Sequence, residues 1–384
     1  MKKTAQKAVS VIITAVMVIS LFMTSVFAAD NNTKITGLQN YLKDAENTGF
    51  DFTDTSFSDN DIDWTVFALS RSGVTAYPEY KSYINDVVKN TFDKLYPSDL
   101  ARITLAVAAY SLDAKNIGGH DLIAALKAVD YKSQTYLSSL IYPLIALNFD
   151  ESFELPDATE KDIINTVLSA QQSDGGFPYS TVDSGYGISS DIDTTSMTVQ
   201  ALAKYYKTDT AVKTAVDKAI EYIKTQQFDD GAFGYMSYGS KSGESTAQVI
   251  IALTMLGIDP EGSEYTKLNG NPISALSQFI DESTGAGLDY SSAPSTLTSY
   301  QILMGYNANT RFNGNSNNIY AIDKPVVVTT TQKSEETTVK DNEEATTVQH
   351  VDIPRTGNVS GISLSVALLL VSTAVVIASK KKEL

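Results

Sequence analysis

The chain has 384 residues, with 45 Asp and Glu against 29 Lys and Arg, a formal net charge of −16, no Cys and two His. Without Cys neither a disulfide framework nor a thiolate metal site can form, and two His are too few for a His-rich zinc site. An acidic excess of this size repels nucleic acid and favours solubility.

At the N-terminus, Lys2, Lys3 and Lys7 precede an uncharged apolar run from Val9 to Met23, and the small residues Ala28 and Ala29 follow. This order predicts a secretory signal peptide over residues 1–29, cut after Ala28 or Ala29. The run is short for a membrane span, which takes about 20 residues.

Residues 30–323 form the globular part, near the upper size for a single core. Apolar residues recur there at helical spacing. Six strongly apolar helices are predicted over 64–73, 100–112, 137–147, 195–205, 246–256 and 297–306. Each follows a more amphipathic one, over 35–46, 79–95, 121–128, 161–171, 212–226 and 273–281. A helix that is apolar all round is buried and one with a charged face lies outside, so six inner helices ringed by six outer ones are expected. Periodicity alone leaves a closed barrel and an open solenoid equally open.

Loops repeat along with the helices. Gln171-Gln172-Ser173-Asp174-Gly175-Gly176-Phe177 matches Gln226-Gln227-Phe228-Asp229-Asp230-Gly231-Ala232-Phe233, and Thr284-Gly285-Ala286-Gly287-Leu288 is a weaker third copy. The copies are about 55 residues apart, the length of one helical hairpin with its loops. Each glycine is expected to stop an outer helix, and the aromatic or Leu that follows to fill the gap between hairpins.

Asp61-Ile62-Asp63 precedes the first apolar helix and Asp191-Ile192-Asp193 the fourth; Glu244-Ser245 and Ser295-Thr296 precede the fifth and sixth. As helix N-caps, Asp63, Asp193, Ser245 and Thr296 would each contribute about 1 kcal/mol. Aromatic residues gather at the same loops: Trp64, Phe177, Tyr179, Tyr186, Phe233, Tyr235, Tyr238 and Tyr290. Singly they suit hairpin packing, and as a group around a barrel mouth they can stack on a flat ligand. The candidate binding set is therefore Asp61, Asp63, Trp64, Phe177, Tyr179, Tyr186, Asp191, Asp193, Phe233, Tyr235, Glu244 and Tyr290. His120, in Gly118-Gly119-His120, reads as an exposed inter-helix turn.

The Gln-Gln-x-Asp-Gly-Gly-Phe loops resemble the repeats of protein prenyltransferase β-subunits and squalene cyclases, the terpenoid-cyclase superfamily. The stretches Asp191–Leu202 and Ser245–Leu253 are similar to bacterial surface proteins of that superfamily and to the helical domain of intrinsic factor and transcobalamin. The resemblance is clearest over residues 160–305 and implies an all-α (α/α)6 toroid. It places Asp191 and Asp193 on the cyclase acid motif, Asp-x-Asp-Asp, where Asp193 would protonate an alkene. Thr194 stands in place of the second adjacent Asp, and the Cys of a prenyltransferase zinc site is missing. These departures point to a non-catalytic module that binds a small molecule, a glycan or a protein, with no cofactor and no metal. An enzyme of the prenyltransferase or cyclase type with Asp191 and Asp193 as acids, an enzyme on a polysaccharide, and a corrinoid-capturing protein are the alternatives.

From Lys324 to Asp352 the composition turns to Thr, Glu, Asp and Lys with no aromatic residue, which predicts a disordered stalk. Ile353-Pro354-Arg355-Thr356-Gly357 then leads into an uncharged run from Val359 to Ala378 and a tail with Lys380, Lys381 and Lys382. Such a run is long enough to cross a bilayer, and the lysines hold its end on the cytoplasmic side. The pentapeptide with its apolar and basic sequel, residues 353–384, resembles a sortase sorting signal. It implies cleavage between Thr356 and Gly357 and transfer to peptidoglycan, so the domain is expected on the wall or membrane of a Gram-positive-type cell.

Overall fold

The computed structural model describes residues 30–185, 187–235 and 239–321. They lie in the compact unit Met1–Pro325; the expected leader, stalk and sorting signal, and the second unit, Val326–Leu384, fall outside the described residues. In chain order the helices are α1 (residues 30–43), the single turn α2 (Ala45–Thr48), α3 (Asn60–Arg71), α4 (Tyr80–Thr91), α5 (Pro97–Ala109), α6 (Leu122–Lys127) and α7 (Ser138–Leu147). Then come α8 (Asp157–Ser169), α9 (Ile192–Leu202), α10 (Thr210–Thr225), α11 (Gly243–Leu256), α12 (Pro272–Leu276) and α13 (Thr296–Asn313). Two short antiparallel pairs join them: β1 (Phe177–Pro178) with β2 (Ser190–Asp191), and β3 (Phe233–Tyr235) with β4 (Ser240–Ser242).

The odd-numbered helices from α3 to α13 each pack on the next, and α13 packs back on α3. That closure makes the chain an (α/α)6 toroid and excludes the open solenoid. Side-chain burial follows from the apolar pattern. On α11 everything from Ser245 to Thr254 is buried, whereas α10 buries only the stripe Val212, Ala215, Val216, Ala219, Ile220 and Ile223. Spacings of three and four put that stripe on one face of the outer helix, toward the ring.

The repeated loops tie the hairpins together. Phe177 and Phe233 are fully buried, and their backbone N–H groups donate to Thr195 Oγ1 (2.8 Å) and Thr246 Oγ1 (2.9 Å). Gly287 N donates in the same way to Ser299 Oγ at 2.8 Å. Each acceptor is the fourth residue of its inner helix, so one hydroxyl per repeat fixes the loop onto the first helical turn. The glycines do not stop the outer helices, which end earlier, at Ser169 and Thr225. They let the loop lie against the next outer element instead. A Cβ on Gly175 (φ +92) would sit 2.5 Å from the carbonyl oxygen of Lys218, and one on Gly231 (φ +88) 2.5 Å from the carbonyl carbon of Asn271. Gly231→Ala is therefore expected to lose at least about 2 kcal/mol in urea unfolding. Gly239→Ala, also at positive φ but with open space around its Cβ, should lose about 1 kcal/mol. Equal losses for the two would mean that the close approach is unimportant.

After α13 the chain folds back against the C-terminal ends of α3 and α13. Arg71 Nη2 donates to Ala321 O at 2.7 Å and Arg311 Nε to Asn318 O at 3.3 Å. Tyr320 is buried, its ring 5.7 Å from Phe67 and its hydroxyl 2.8 Å from Gln200 Oε1. Gln200 donates to Gln248 Oε1 (2.8 Å), and Gln248 to Gln301 Oε1 (2.9 Å), so an amide chain links that end of the ring to α13.

Candidate active site

At the opposite end the inner helices begin, and their first turns decide what faces the mouth. The caps are Asp59 on α3, Asp191 on α9, Ser242 on α11 and Ser295 on α13. This corrects the expected caps Asp63, Asp193, Ser245 and Thr296. The helices start earlier than expected, so that Thr195, Thr246 and Ser299 are already helical where they hold the loops. As a result Asp61, Asp193 and Glu244 each fall two positions inside a helix, at equivalent places on α3, α9 and α11. In a ring of six, α3 and α9 stand opposite one another, so Asp61 and Asp193 come from facing walls.

Asp193 is the exceptional group. It lies deep among surrounding protein yet keeps part of its surface open, and its Oδ1 is buried without a hydrogen-bond partner. Burial first, and then the neighbouring Asp191 and Glu244, push its pKa up to about 7. Ser245, fully buried, lies close enough to favour the anion, but neither its Oγ nor Asp193 Oδ1 completes a hydrogen bond of normal geometry. Asp193 is therefore a carboxyl group able to give up a proton near neutral pH. The flanking carboxylates are held as acceptors. Asp191 takes the Thr194 N–H at 2.6 Å and the Tyr235 hydroxyl; Glu244 takes the Ser242 hydroxyl at 2.7 Å and the Thr298 hydroxyl. Burial and Asp191 together push Tyr235 upward, which keeps it a donor.

One turn below the acids lies an aromatic floor. Trp64 on α3 and Tyr142 on α7 meet at 5.4 Å between ring centroids, and the Tyr142 hydroxyl reaches Met197 Sδ on α9 at 2.8 Å. Helices α3 and α7 are not neighbours in the ring, so the Trp64–Tyr142 contact crosses the lumen. Both rings remain partly open. Tyr300 on α13 lies beside Asp61, and burial raises the pKa of both.

Asp63, expected to bind a ligand, has no access to one. It is fully buried and accepts from Arg102 Nε (3.0 Å), Tyr80 (2.8 Å) and Ser58 (3.1 Å). It faces away from the lumen because successive residues of a helix point about 100° apart. Phe177 and Phe233 are core, again correcting the expected binding set. Tyr179 and Tyr290 are exposed, and Tyr186, Tyr238, Thr356 and Gly357 lie outside the described residues. His120 is in the expected turn, stacked on Phe92 at 3.8 Å. The depression between α8 and α10, lined by Leu168, Thr210, Thr214 and Lys218, lies outside the ring and away from these acids. Tyr142, Met197 and Tyr300 were missed in the sequence. The available signal was a Tyr one turn into an otherwise apolar helix.

No family model matches the chain, and no curated protein matches it. Among solved structures it is similar to an inactivated double variant of the α-1,6-mannanase GH76A of Salegentibacter sp. HEL1_6 in complex with α-1,6-mannotetrose. The TM-score is 0.49 at 12% identity, covering 73% of this chain and 98% of the other. The toroid itself rests on the helix packing of this chain. The expectation of a non-catalytic module in which Asp193 is a helix cap is corrected by the site itself. Asp191 caps α9, and Asp193 is a partly open acid with no capping role whose Oδ1 is buried without a hydrogen-bond partner.

Proposed function

We propose that the toroid is an enzyme that cleaves glycosidic bonds in a glycan, with Asp193 as the proton donor. The observation that carries this is the state of Asp193: deep in the mouth, unpartnered at Oδ1, and with a pKa pushed up to about 7. A glycosidic oxygen is a weak base, and its bond breaks when a neutral carboxyl group protonates it as the sugar ring develops positive charge. Asp193 gives its proton to the bridging oxygen, the C1–O bond breaks, and one sugar leaves as an alcohol. Asp191 and Glu244 flank the donor as carboxylates; they stabilise the charge at C1, and one of them takes a proton from the attacking water. The Trp64–Tyr142 floor supplies the apolar face on which a sugar ring stacks.

The intact protein incubated with neutral and amino polysaccharides should release new reducing ends from at least one of them. No release from any, or equal release by Asp193→Asn, would sink the proposal.

The Gly-containing repeat loops explain the resemblance to prenyltransferases as shared architecture, since they serve hairpin packing here. We also infer that residues 1–29 and 353–384 direct export and sortase attachment to peptidoglycan, on the order of their sequence features. Thr356→Ala should then leave the protein membrane-bound or shed. Identical muramidase-released wall fragments from parent and variant would contradict this.

A further inference from the structure

Asp61, Asp193 and Glu244 stand in the first turns of α3, α9 and α11, with Asp191 capping α9. Asp191 and Glu244 press on Asp193, and no described cation offsets them. Arg102 is the described cation that acts on Asp61, and its guanidinium is already held by Asp63 (3.0 Å), Asp99 (2.8 Å) and Ser58 (2.7 Å). Asp61 is two positions inside α3 and Trp64 three residues further, so both project from the same helix face. Tyr300 lies beside Asp61, and Tyr142 closes on Trp64 from across the lumen at 5.4 Å. Two partly open rings under a carboxylate form the arrangement that holds an ammonium group. The ring faces attract the cation and the carboxylate takes its N–H donors. On the facing side Asp193 Oδ1 and the fully buried Ser245 Oγ lie near each other, and neither completes a hydrogen bond of normal geometry.

We propose that Asp61, Trp64, Tyr142 and Tyr300 form an amine subsite, so that the glycan taken by this mouth carries free amino sugars. This rests on the proposed function for the identity of the ligand as a sugar. An anionic glycan would bring a second negative charge into the same ring of acids and is excluded on that ground. A protonated glucosamine unit supplies a positive charge and leaves Asp193 free to act on the far side.

Trp64 is the single tryptophan of the chain, so its fluorescence reports occupancy of the mouth without requiring turnover. The intact protein is titrated at pH 6 with a β-1,4-linked glucosamine tetrasaccharide and, separately, with its fully N-acetylated form. The amine form is expected to bind at least tenfold more tightly. Asp61→Asn, checked by its thermal melt, should bring the two dissociation constants within about twofold. Equal or tighter binding of the acetylated form, no Trp64 response to either, or an unchanged preference in Asp61→Asn would each overturn the subsite. Binding with no bond cleavage would sink the proposed hydrolysis and leave the amine subsite standing.

Discussion

Asp193→Asn is expected to fold, to be more stable than the parent at pH 8, and to lose activity by at least about 100-fold. The stability gain follows from linkage. The folded-state pKa of Asp193 is raised from 3.8 to about 7. Between those values the native protein keeps a proton that the unfolded chain has already released. The contribution of Asp193 to native stability is therefore greatest below about pH 4 and falls as pH rises toward 7, because the carboxylate must then be formed in a poor environment. At 1.36 kcal/mol per pKa unit the loss approaches about 4 kcal/mol, and the open part of the side chain brings it nearer 2. Asn cannot ionise, so the variant escapes the loss: equal to the parent near pH 4, ahead of it at pH 8. Activity moves the other way, since Asn has no proton to give. Parent turnover should decline above pH 7 as Asp193 ionises. Urea unfolding at both pH values and a pH–rate profile test the pair of effects. A stability difference that stays constant with pH would mean that Asp193 titrates normally.

Such a group, strained in the ionised form and poised in the mouth, was half visible in the sequence. Asp191-Ile192-Asp193 stood out as an acid pair before an apolar helix, readable both as a cap and as the acid of a cyclase-like motif. Capping depends on which side chain reaches a free N–H while its own backbone is extended, and Asp191 meets that condition with the Thr194 N–H at 2.6 Å. The earlier helix start goes with a tertiary contact, the loop N–H of Phe177 on Thr195, which propensity does not encode. The outer-inner alternation was legible because a ring must bury one element all round and the other on one face. Closure was not, since the α13–α3 packing is a contact between chain ends that no local period announces. The floor was hidden for a related reason. Trp64 and Tyr142 meet across the lumen from helices two places apart in the ring, and nothing in either segment names the other.

Arg102→Met is expected to lose about 3–5 kcal/mol of stability. Arg102 and Asp63 are both buried, and the arginine joins α5 to α3 while also holding Asp99 and Ser58. Burial pushes the Asp63 carboxyl up, and Arg102, Tyr80 and Ser58 act against that rise. Removing the arginine leaves a carboxylate with two hydroxyl donors and no counter-charge in the wall of the toroid. The carboxyl then holds its proton to higher pH, so the deficit of the variant should be smaller at pH 4 than at pH 8. Asp63→Leu with Arg102→Met together removes both charges and should lose less than the sum of the two single changes. Both partners must be absent for this relief, because either charge alone stays desolvated. Denaturant unfolding of the four proteins measures the coupling directly. Deficits that simply add would show that the pair does not act as a unit, and that α3 and α5 are held by their apolar contacts alone.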